Sequence, residues 1–422
     1  MIGVIKVKPG VAFFLILTAA ALPPRPAAAL ETIQHEEGST CVVCHGDKET
    51  SLNGSIHAHF GLDCVSCHGG DDTQVEWEKA MDPAKGFKGA FTAKEVLFLC
   101  DRCHGDYERM RQFGIAIDQL QQYRTSEHGK ALFLTGNEKV AVCTSCHGVH
   151  DIKKVTDPES SVYPTNVPGT CAKCHSDPGY MKPFNVSTTV VEDYKKGVHG
   201  KRLLQMDLAA PTCATCHGNH GAAPPGVAEV VNVCGKCHLN IREEFKKSRH
   251  FRKGLECVNC HNNHANVHPT KAIFSRKDPG GCRHCHPDAD SKQGKYISRI
   301  LNGIREAEQA LEKAEKNTER AEYNGFYVDN EKVLLQEGRT AFLQFANVQH
   351  ALSLREGTKV LSTAVSKAMH VNENVEIKFR TITDRRITMS AVIGYLLAVL
   401  ALVYVKYRGL KAAYTREKNR AS

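Results

Sequence analysis

One pattern recurs nine times in this chain: two cysteines separated by two residues and followed at once by a histidine. The copies use all 18 cysteines, which are Cys41, Cys44, Cys64, Cys67, Cys100, Cys103, Cys143, Cys146, Cys171, Cys174, Cys213, Cys216, Cys234, Cys237, Cys257, Cys260, Cys282 and Cys285. Two such thiols can add to the vinyl groups of a haem, and the histidine that follows is placed to ligate its iron. The pattern predicts nine covalently bound c-type haems, with the motif histidines His45, His68, His104, His147, His175, His217, His238, His261 and His286 as proximal iron ligands.

Other uses of paired cysteines do not explain this pattern. Zinc ribbons join two cysteine pairs around one metal ion, but they do not need a histidine directly after each second cysteine. Disulfide frameworks and thioredoxin-like redox pairs have no such requirement either. Haem attachment is therefore the interpretation that accounts for every cysteine and for the histidine after every pair.

The first 29 residues have the composition of a secretory signal peptide. Lys6 and Lys8 precede an apolar run at 11–22, and three alanines at 27–29 form a plausible cleavage site. An uncleaved anchor is the alternative, although the run is short for a membrane span. Export agrees with the motifs, because bacteria attach c-type haem outside the cytoplasm, and it predicts a periplasmic location for most of the chain.

The net charge of +9 does not indicate a nucleic-acid partner, because its distribution is uneven. The segment 1–29 contributes +3 and the segment 406–422 contributes +5, which leaves only +1 for the rest. Haem propionates would make that part acidic. We therefore predict no nucleic-acid binding.

The segment 30–290 is the predicted nonahaem domain. Its motifs span residues 41–286, which is about 27 residues for each haem and too little chain for an ordinary apolar core around each one. The haems must then form much of the core. We expect a mainly α fold of short helices and long loops, with few strands.

An internal repeat runs through this domain. Each of four repeats has a first motif, a helical segment with a separating histidine, and a second motif; the separating histidines are His57, His128, His199 and His250. Tyr123, Tyr194 and Phe245 precede three of them by five residues, where Leu52 stands in the first repeat. The regular spacing predicts that the separating histidines are distal axial ligands.

The second motif of the last three repeats is extended by a further histidine three residues after the motif histidine: His150, His220 and His264. If the helix continues, this residue lies on the same face as the motif histidine and cannot reach the far side of the same haem. We expect it to ligate the iron of a neighbouring haem. The first repeat has Asp71 at this position.

Nine haems need nine distal ligands, and the repeat supplies seven. His59 and His268 are the first choices for the other two, with His35 as an alternative. His284 lies inside its own motif and is a poor candidate. His350 and His370 lie in the later helical region, where a structural role is expected.

After residue 290 the composition changes to a helical pattern. Apolar residues at a spacing of three and four from Ile297 to Ala321 predict a long helix that ends at Asn324-Gly325. Further helices are predicted at 330–354 and 357–370, so that 291–386 forms a hairpin or bundle suited to packing and to homo-oligomer formation. The uncharged segment 387–405 predicts one transmembrane helix, followed by a basic cytoplasmic tail at 406–422.

The paired motifs, the separating histidines and the histidine extensions resemble those of the multihaem cytochromes c of bacterial respiration. The likeness covers roughly residues 35–290. It implies low-potential haems with two histidine ligands, arranged in close pairs that pass electrons along a chain. The helical region is similar to the C-terminal part of multihaem nitrite and hydroxylamine enzymes, without a specific motif.

Two classes of function follow from these features. The first is an electron-transfer protein in the cytoplasmic membrane, which takes electrons from quinol or from a membrane cytochrome b partner, near the ninth haem, and passes them to periplasmic redox proteins or extracellular acceptors. The second is an oxidoreductase that acts on nitrite, hydroxylamine or tetrathionate at one open haem, with the third and ninth haems as the expected places. Nine motif histidines and an ample supply of distal candidates favour electron transfer, and no catalytic residue is assigned.

Overall fold

The computed structural model describes residues 39–226, 229–268, 270–276, 278 and 280–420. The predicted signal peptide and His35 lie outside the described residues. The chain divides into two compact units, one formed by Met1–Phe91 with Gly148–Lys154 and the other by Thr92–His147 with Val155–Ser422. The described residues are mainly helical and include no β-strand, which confirms the predicted fold class.

The first compact unit holds the first two motifs. Its helices are α1 (Val42–Asn53), α2 (Ile56–His59), α3 (Cys64–His68) and α4 (Trp77–Ala80), with a 3-10 turn at Pro83–Lys85. The amide of Ile56 donates to the carbonyl of Ile152, 2.7 Å away, which holds the segment 148–154 beside α2. The Thr40 hydroxyl donates to two carbonyls, those of Asp72 and Gln74. These bonds place His150 in the same unit as the second motif.

The second compact unit begins with short helices that follow the repeat. They are α5 (Ala93–His104), α6 (Tyr107–Met110), α7 (Gln119–Thr125), α8 (Glu127–Thr135), α9 (Cys143–His147), α10 (Val167–His175), α11 (Pro178–Met181), α12 (Val190–Lys196), α13 (Val198–Leu204), α14 (Cys213–His217), α15 (Val230–Gly235), α16 (Leu239–Lys247), α17 (Arg249–Arg252), α18 (Val258–His261) and α19 (Cys282–Cys285). The 3-10 turns are Arg111–Phe113, Lys182–Phe184 and Lys271–Phe274. Apolar clusters here are small, such as the one formed by Leu97, Leu120, Leu132 and Val142.

A three-helix bundle follows the ninth motif. It consists of α20 (Lys292–Tyr323), α21 (Asp329–Val348), a 3-10 turn at Gln349–Ala351 and α22 (Leu354–Arg420). Ile300 packs with Phe345 and Leu361 at one end, while Ala321 packs with Val328 and Val375 at the other. These contacts make α20 parallel to α22 and antiparallel to α21. The start of α20, the 3-10 turn and the start of α22 therefore lie at the same end of the bundle.

The predicted helix boundaries are partly correct. The first long helix ends at Tyr323 and is followed by Gly325 at φ +81°, as the Asn-Gly pair indicates. The second ends at Val348, before the predicted boundary, because a 3-10 turn and Leu352 at φ +52° interrupt it. The predicted end of the third helix at His370 is wrong. No glycine or proline occurs between 358 and 393, so α22 continues without a break into the apolar segment.

Within the part of the chain that the structure describes, α22 is the one helix whose length and composition would allow it to cross a membrane. Its most apolar 18-residue stretch has a mean hydropathy of 2.2 and is not buried against the rest of the protein. This stretch contains exposed leucine, valine and isoleucine side chains. α22 is thus a candidate membrane anchor.

Candidate haem sites

The second motif of each repeat sits in a very short helix that brings its cysteines and histidine together. The four helices are α3, α9, α14 and α18. In α3 the amide of Ser66 donates to the Asp63 carboxylate at 2.8 Å, and the Ser66 hydroxyl accepts from the Asp63 amide at 3.2 Å. Thr212 and Thr215 make the equivalent reciprocal cap of α14. The cap starts the helix at the first cysteine, so both thiols lie on one face, three residues apart.

The residue after each of these motif histidines has a positive φ and ends the helix. It is glycine in three repeats and asparagine in the fourth, with φ values of +66° at Gly69, +85° at Gly148, +83° at Gly218 and +63° at Asn262. The chain turns sharply there, so the next histidine along the chain does not continue the helical face. The expectation that this histidine lies on the same helical face as the motif histidine is wrong, because the helix ends at the residue between them.

The separating histidines share a local structure at a helix start. Each is the second residue of a short helix, and in three repeats a buried serine two residues earlier is the N-cap: Ser55, Ser126 and Ser248. The Ser126 hydroxyl accepts from the Gly129 amide at 2.9 Å and donates to the Tyr123 carbonyl at 2.6 Å. The third repeat has Gly197 in this place. The cap fixes the direction of the helix and hence of the imidazole at its second position.

The aromatic residue five positions earlier connects the separating histidine to the second motif. The Tyr123 hydroxyl donates to the Ala141 carbonyl at 2.9 Å, two residues before Cys143. The Tyr194 hydroxyl donates to the Pro211 carbonyl at 2.7 Å, two residues before Cys213. The sequence spacing of the aromatic residues therefore reflects a bond that anchors the loop leading into the second motif.

In the described part of the chain, seven pairs of imidazole rings share a similar separation of about 6 Å between their centres. The ring centres are 6.4 Å apart for His68 and His150, 6.1 Å for His128 and His175, 6.2 Å for His147 and His220, 6.3 Å for His199 and His238, 6.0 Å for His217 and His264, 6.0 Å for His250 and His286, and 6.1 Å for His261 and His350. Each pair joins one motif histidine to one histidine outside the motifs. A common distance and a common composition in seven places indicate a common function.

The gap between the rings fits a haem iron. An imidazole nitrogen lies about 2.0–2.1 Å from a first-row metal ion, and about 1.1 Å from the centre of its own ring, so two rings on opposite sides of one ion have centres roughly 6.3 Å apart. Among the described residues no cluster of three or more histidine, cysteine or acidic side chains forms a metal cage. Two imidazoles are enough for a haem iron, because the porphyrin supplies the other four nitrogens.

Hydrogen bonds and burial prepare these imidazoles to ligate iron. Nδ1 of His68 lies 3.0 Å from the Lys88 carbonyl, and Nδ1 of His217 lies 3.1 Å from the Ala223 carbonyl. A carbonyl can only accept, so Nδ1 carries the proton and Nε2 is left for the metal. Burial, together with a facing histidine, lowers the pKa of His128 and His261. The neutral form, which is the ligating form, is thereby favoured.

The pairs follow a register along the repeats. The extension histidines His150, His220 and His264 each face the second motif of the preceding repeat. The separating histidines His128, His199 and His250 each face the next motif after their own repeat. The position of each of these six histidines in its repeat therefore determines which motif histidine it pairs with.

The other predicted distal ligands are His57, His59 and His268. His57 occupies the register position of His128, His199 and His250, and it stays a predicted ligand. His59 is exposed and lies edge-on to Phe60, with ring centres 5.0 Å apart. His268 is exposed. His35 lies outside the described residues and stays a predicted alternative.

The cysteines of consecutive motifs lie side by side in the second compact unit. Within repeats, hydrogen bonds join the first cysteines of both motifs: Cys100 with Cys143, Cys171 with Cys213, and Cys234 with Cys257. Between repeats, burial and then a neighbouring cysteine raise the thiol pKa values of Cys146, Cys216 and Cys260. The neighbours are Cys171, Cys234 and Cys285 in that order. Motifs three to nine thus form a row in chain order.

Two features of these sites were missed by the sequence reasoning. The serine two residues before three separating histidines is visible in the sequence and could have been found by aligning the repeats. His350 was expected to be structural, and it has no motif around it. Its position opposite His261 depends on the bundle contacts, which no local pattern reveals.

In a comparison with known families, residues 56–176 match the family model of cytochrome c3. The matched segment contains the second to fifth motifs and the separating histidines His57 and His128. It supports a multihaem c-type cytochrome. Covalently bound haem iron and electron transfer are the properties that this match carries. Comparisons with curated proteins and with solved structures gave no match.

Proposed function

We propose that this cytochrome carries nine covalent haems, is anchored in the cytoplasmic membrane by α22, and passes electrons from the quinol pool, through a membrane partner, to periplasmic or extracellular acceptors. The haem domain lies in the periplasm and the basic tail in the cytoplasm. The motif histidines are the proximal ligands, and the predicted repeat histidines are distal ligands.

The observation that carries this proposal is the set of seven facing imidazole pairs. A haem supplies one-electron redox chemistry when bound. Two imidazoles bound to one iron would leave no place for a substrate, and they would hold the potential of that haem below that of a haem with a methionine ligand. Seven sites of this kind suit electron transfer and do not suit chemistry on a small molecule.

The row of motifs from the third to the ninth supports transfer along the chain. Paired first cysteines within a repeat, and neighbouring cysteines between repeats, leave no motif isolated from the next one. Because each thiol fixes the edge of one macrocycle, adjacent thiols imply adjacent macrocycles. Electrons can then pass from one end of the row to the other in steps between neighbours.

The enzyme alternative needs an iron with an open position. The ninth haem is a poor choice, since His250 faces His286 at 6.0 Å. His45 is exposed and is preceded by exposed Cys44, and its backbone leaves helical geometry with φ −119° and ψ 38°. The first haem, together with the third haem named by the sequence analysis, is therefore the place where binding of nitrite, hydroxylamine or tetrathionate should be tested.

Intact-mass measurement of the denatured protein tests the cofactor count. We expect nine haem additions on a chain that begins near Leu30. A Cys171→Ala, Cys174→Ala double variant should lose one addition and keep eight. Fewer than eight additions on the unsubstituted protein would contradict the proposed count.

Reduction by quinol tests the electron source. Membranes containing the protein should show haem reduction when a menaquinol analogue is added, and slow reoxidation by nitrite, hydroxylamine or tetrathionate compared with a periplasmic redox protein. A boiled-membrane sample controls for direct chemical reduction. Failure of quinol to reduce the haems, combined with rapid reoxidation by one of the small molecules, would favour the enzyme alternative.

A further inference from the structure

His350 lies in the short 3-10 turn that connects α21 to α22. Its ring centre is 6.1 Å from that of His261, the motif histidine of the eighth motif, with the ring planes inclined by 32°. The distance falls inside the 6.0–6.4 Å range of the other six pairs. This pair is the one whose second member comes from the helical bundle rather than from the repeats.

The turn that carries His350 is held in place on both sides. The Leu352 amide donates to the Gln349 carbonyl at 2.9 Å, and Leu352 has φ +52°, so the chain reverses tightly before α22 begins. Helix α16 packs against this turn and against α21. His350 is therefore positioned by the haem domain and by the bundle at once.

The imidazole of His350 presents the correct nitrogen to a metal ion. Nδ1 lies 3.3 Å from the carbonyl oxygen of Asn347, one helical turn earlier. Because that oxygen accepts, Nδ1 carries the proton and Nε2 remains available as a ligand. The same arrangement occurs at His68 and His217.

The register of the repeats explains why a histidine from outside is needed here. The second motif of each of the first three repeats faces the extension histidine of the following repeat, and the last of these is His264 opposite His217. The fourth repeat has no successor. Its second motif, with His261, would lack a distal ligand unless another part of the chain provided one.

We propose that His350 is the distal axial ligand of the eighth haem iron. This inference rests on the proposed function, because it assumes haem at the eighth motif. It makes the bundle part of the redox domain, since α21 and α22 hold a ligand in addition to carrying the chain to the membrane segment. It also reduces the number of distal ligands that must come from His35, His59 and His268.

Replacement of His350 by methionine tests the assignment in the full-length holoprotein. His350→Met should convert one haem of nine from two histidine ligands to histidine and methionine, with a new sulfur-to-iron band in the near-infrared spectrum and a higher potential for that haem alone. His370→Met is the matched control, because His370 lies on the exposed face of α22, and it should change neither readout. Intact mass should show that both variants keep the same haem count as the unsubstituted protein.

A second variant covers the case in which methionine does not reach the iron. His350→Gly should give a high-spin signal from about one haem in nine, and added imidazole should remove it. An unchanged spectrum for both His350 variants, with the haem count retained, would overturn the assignment.

His264→Met separates this inference from the wider proposal. If His264→Met changes one haem while the His350 variants change none, only the assignment of His350 fails. If none of these variants changes a haem, the assignment of paired histidine ligands throughout the array fails as well.

Discussion

At the residue scale, the position after the second motif of each repeat decides where the next histidine goes. Gly218 has φ +83° and ψ 160°, and Asn262 has φ +63° and ψ 168°. This region of backbone space is open almost only to glycine, and another residue there is strained by about 1–3 kcal/mol. Asparagine at this position therefore strains the backbone of the fourth repeat, whereas glycine avoids this strain in the other three repeats.

Exchanging these residues should have opposite effects on stability. Gly218→Ala should lower the free energy of unfolding by about 1–3 kcal/mol and move His220, two residues later, away from His147. Asn262→Gly should raise the free energy of unfolding by about 1 kcal/mol, because the relief of backbone strain exceeds the entropy cost of a new glycine. Chemical denaturation followed by haem absorbance measures both. Effects of the same sign in the two variants would show that backbone strain is not what distinguishes these sites.

At the element scale, the short helices are assembled from caps and anchors rather than from large apolar faces. A buried serine starts the helix of the separating histidine, and a tyrosine hydroxyl ties the preceding helix to the loop before the second motif. The fourth repeat has Phe245 where the second and third have tyrosine, so the anchor is not needed everywhere. These elements depend on a few hydrogen bonds, each worth about 1 kcal/mol.

Removal of the cap at Ser126 should weaken the helix that positions His128 opposite His175. Ser126→Ala should lower the free energy of unfolding by about 0.5–2 kcal/mol, since the Gly129 amide loses its acceptor. Ser126→Gly, which copies Gly197 of the third repeat, should cost only a few tenths of a kcal/mol. Hydrogen exchange of the first turn of α8 provides the measurement. Equal protection in the alanine and glycine variants would argue against a capping role.

The bundle contains one buried charge whose partner can be removed. Glu331 is 3% exposed and accepts a hydrogen bond from Lys378 at 2.6 Å, while the same ammonium donates to the Tyr327 carbonyl. Lys378→Met leaves an uncompensated carboxylate and should lower the unfolding free energy of the bundle by about 3 kcal/mol. Adding Glu331→Leu should recover most of that loss in thermal unfolding followed by circular dichroism. A double variant less stable than Lys378→Met would contradict this account.

The sequence predicted the mainly α fold, the starts of the long helices and the residues that make up the repeat, because these depend on spacing within about 30 residues. It did not predict that α22 continues past His370, although the lack of glycine and proline there is visible. The sequence predicted that the extension histidines ligate the iron of a neighbouring haem, but it did not show which one. That assignment depends on how the repeats pack against one another. His350 shows the limit most clearly, because nearly 90 residues separate it from His261 in the chain.

At the scale of the second compact unit, the bundle separates the candidate haem sites from the apolar segment of α22. The Arg283 guanidinium donates to the Ser298 hydroxyl at 2.9 Å, which holds the ninth motif against the first turns of α20. His350 lies at the same end of the bundle. From Leu354 to Ile387 the helix rises about 50 Å at 1.5 Å per residue. Closeness in sequence to the candidate anchor therefore does not place the eighth and ninth motifs close to the apolar segment in space.

Truncation before the anchor should separate attachment from haem loading. A protein that lacks residues 387–422 should be released into the soluble periplasmic fraction with the same number of haems as the full chain. The bundle contacts that hold α22 end near Phe379, so they remain complete. Washed membranes that retain the truncated protein would indicate an uncleaved signal peptide or a partner that binds the rest of the chain.

The length of the helix also predicts that quinol cannot reduce this protein without help. A quinol near the membrane surface lies some tens of ångströms along α22 from the eighth and ninth motifs, and one span without an intramembrane histidine has no ligand for a b-type haem of its own. Purified protein in liposomes with a menaquinol analogue should therefore stay oxidised, while the same protein in native membranes should be reduced. Dithionite added to both samples confirms that all haems can accept electrons. Rapid reduction in liposomes that contain no other protein would show that quinol reaches a haem directly, and that the array bends back towards the membrane rather than standing at the far end of the bundle.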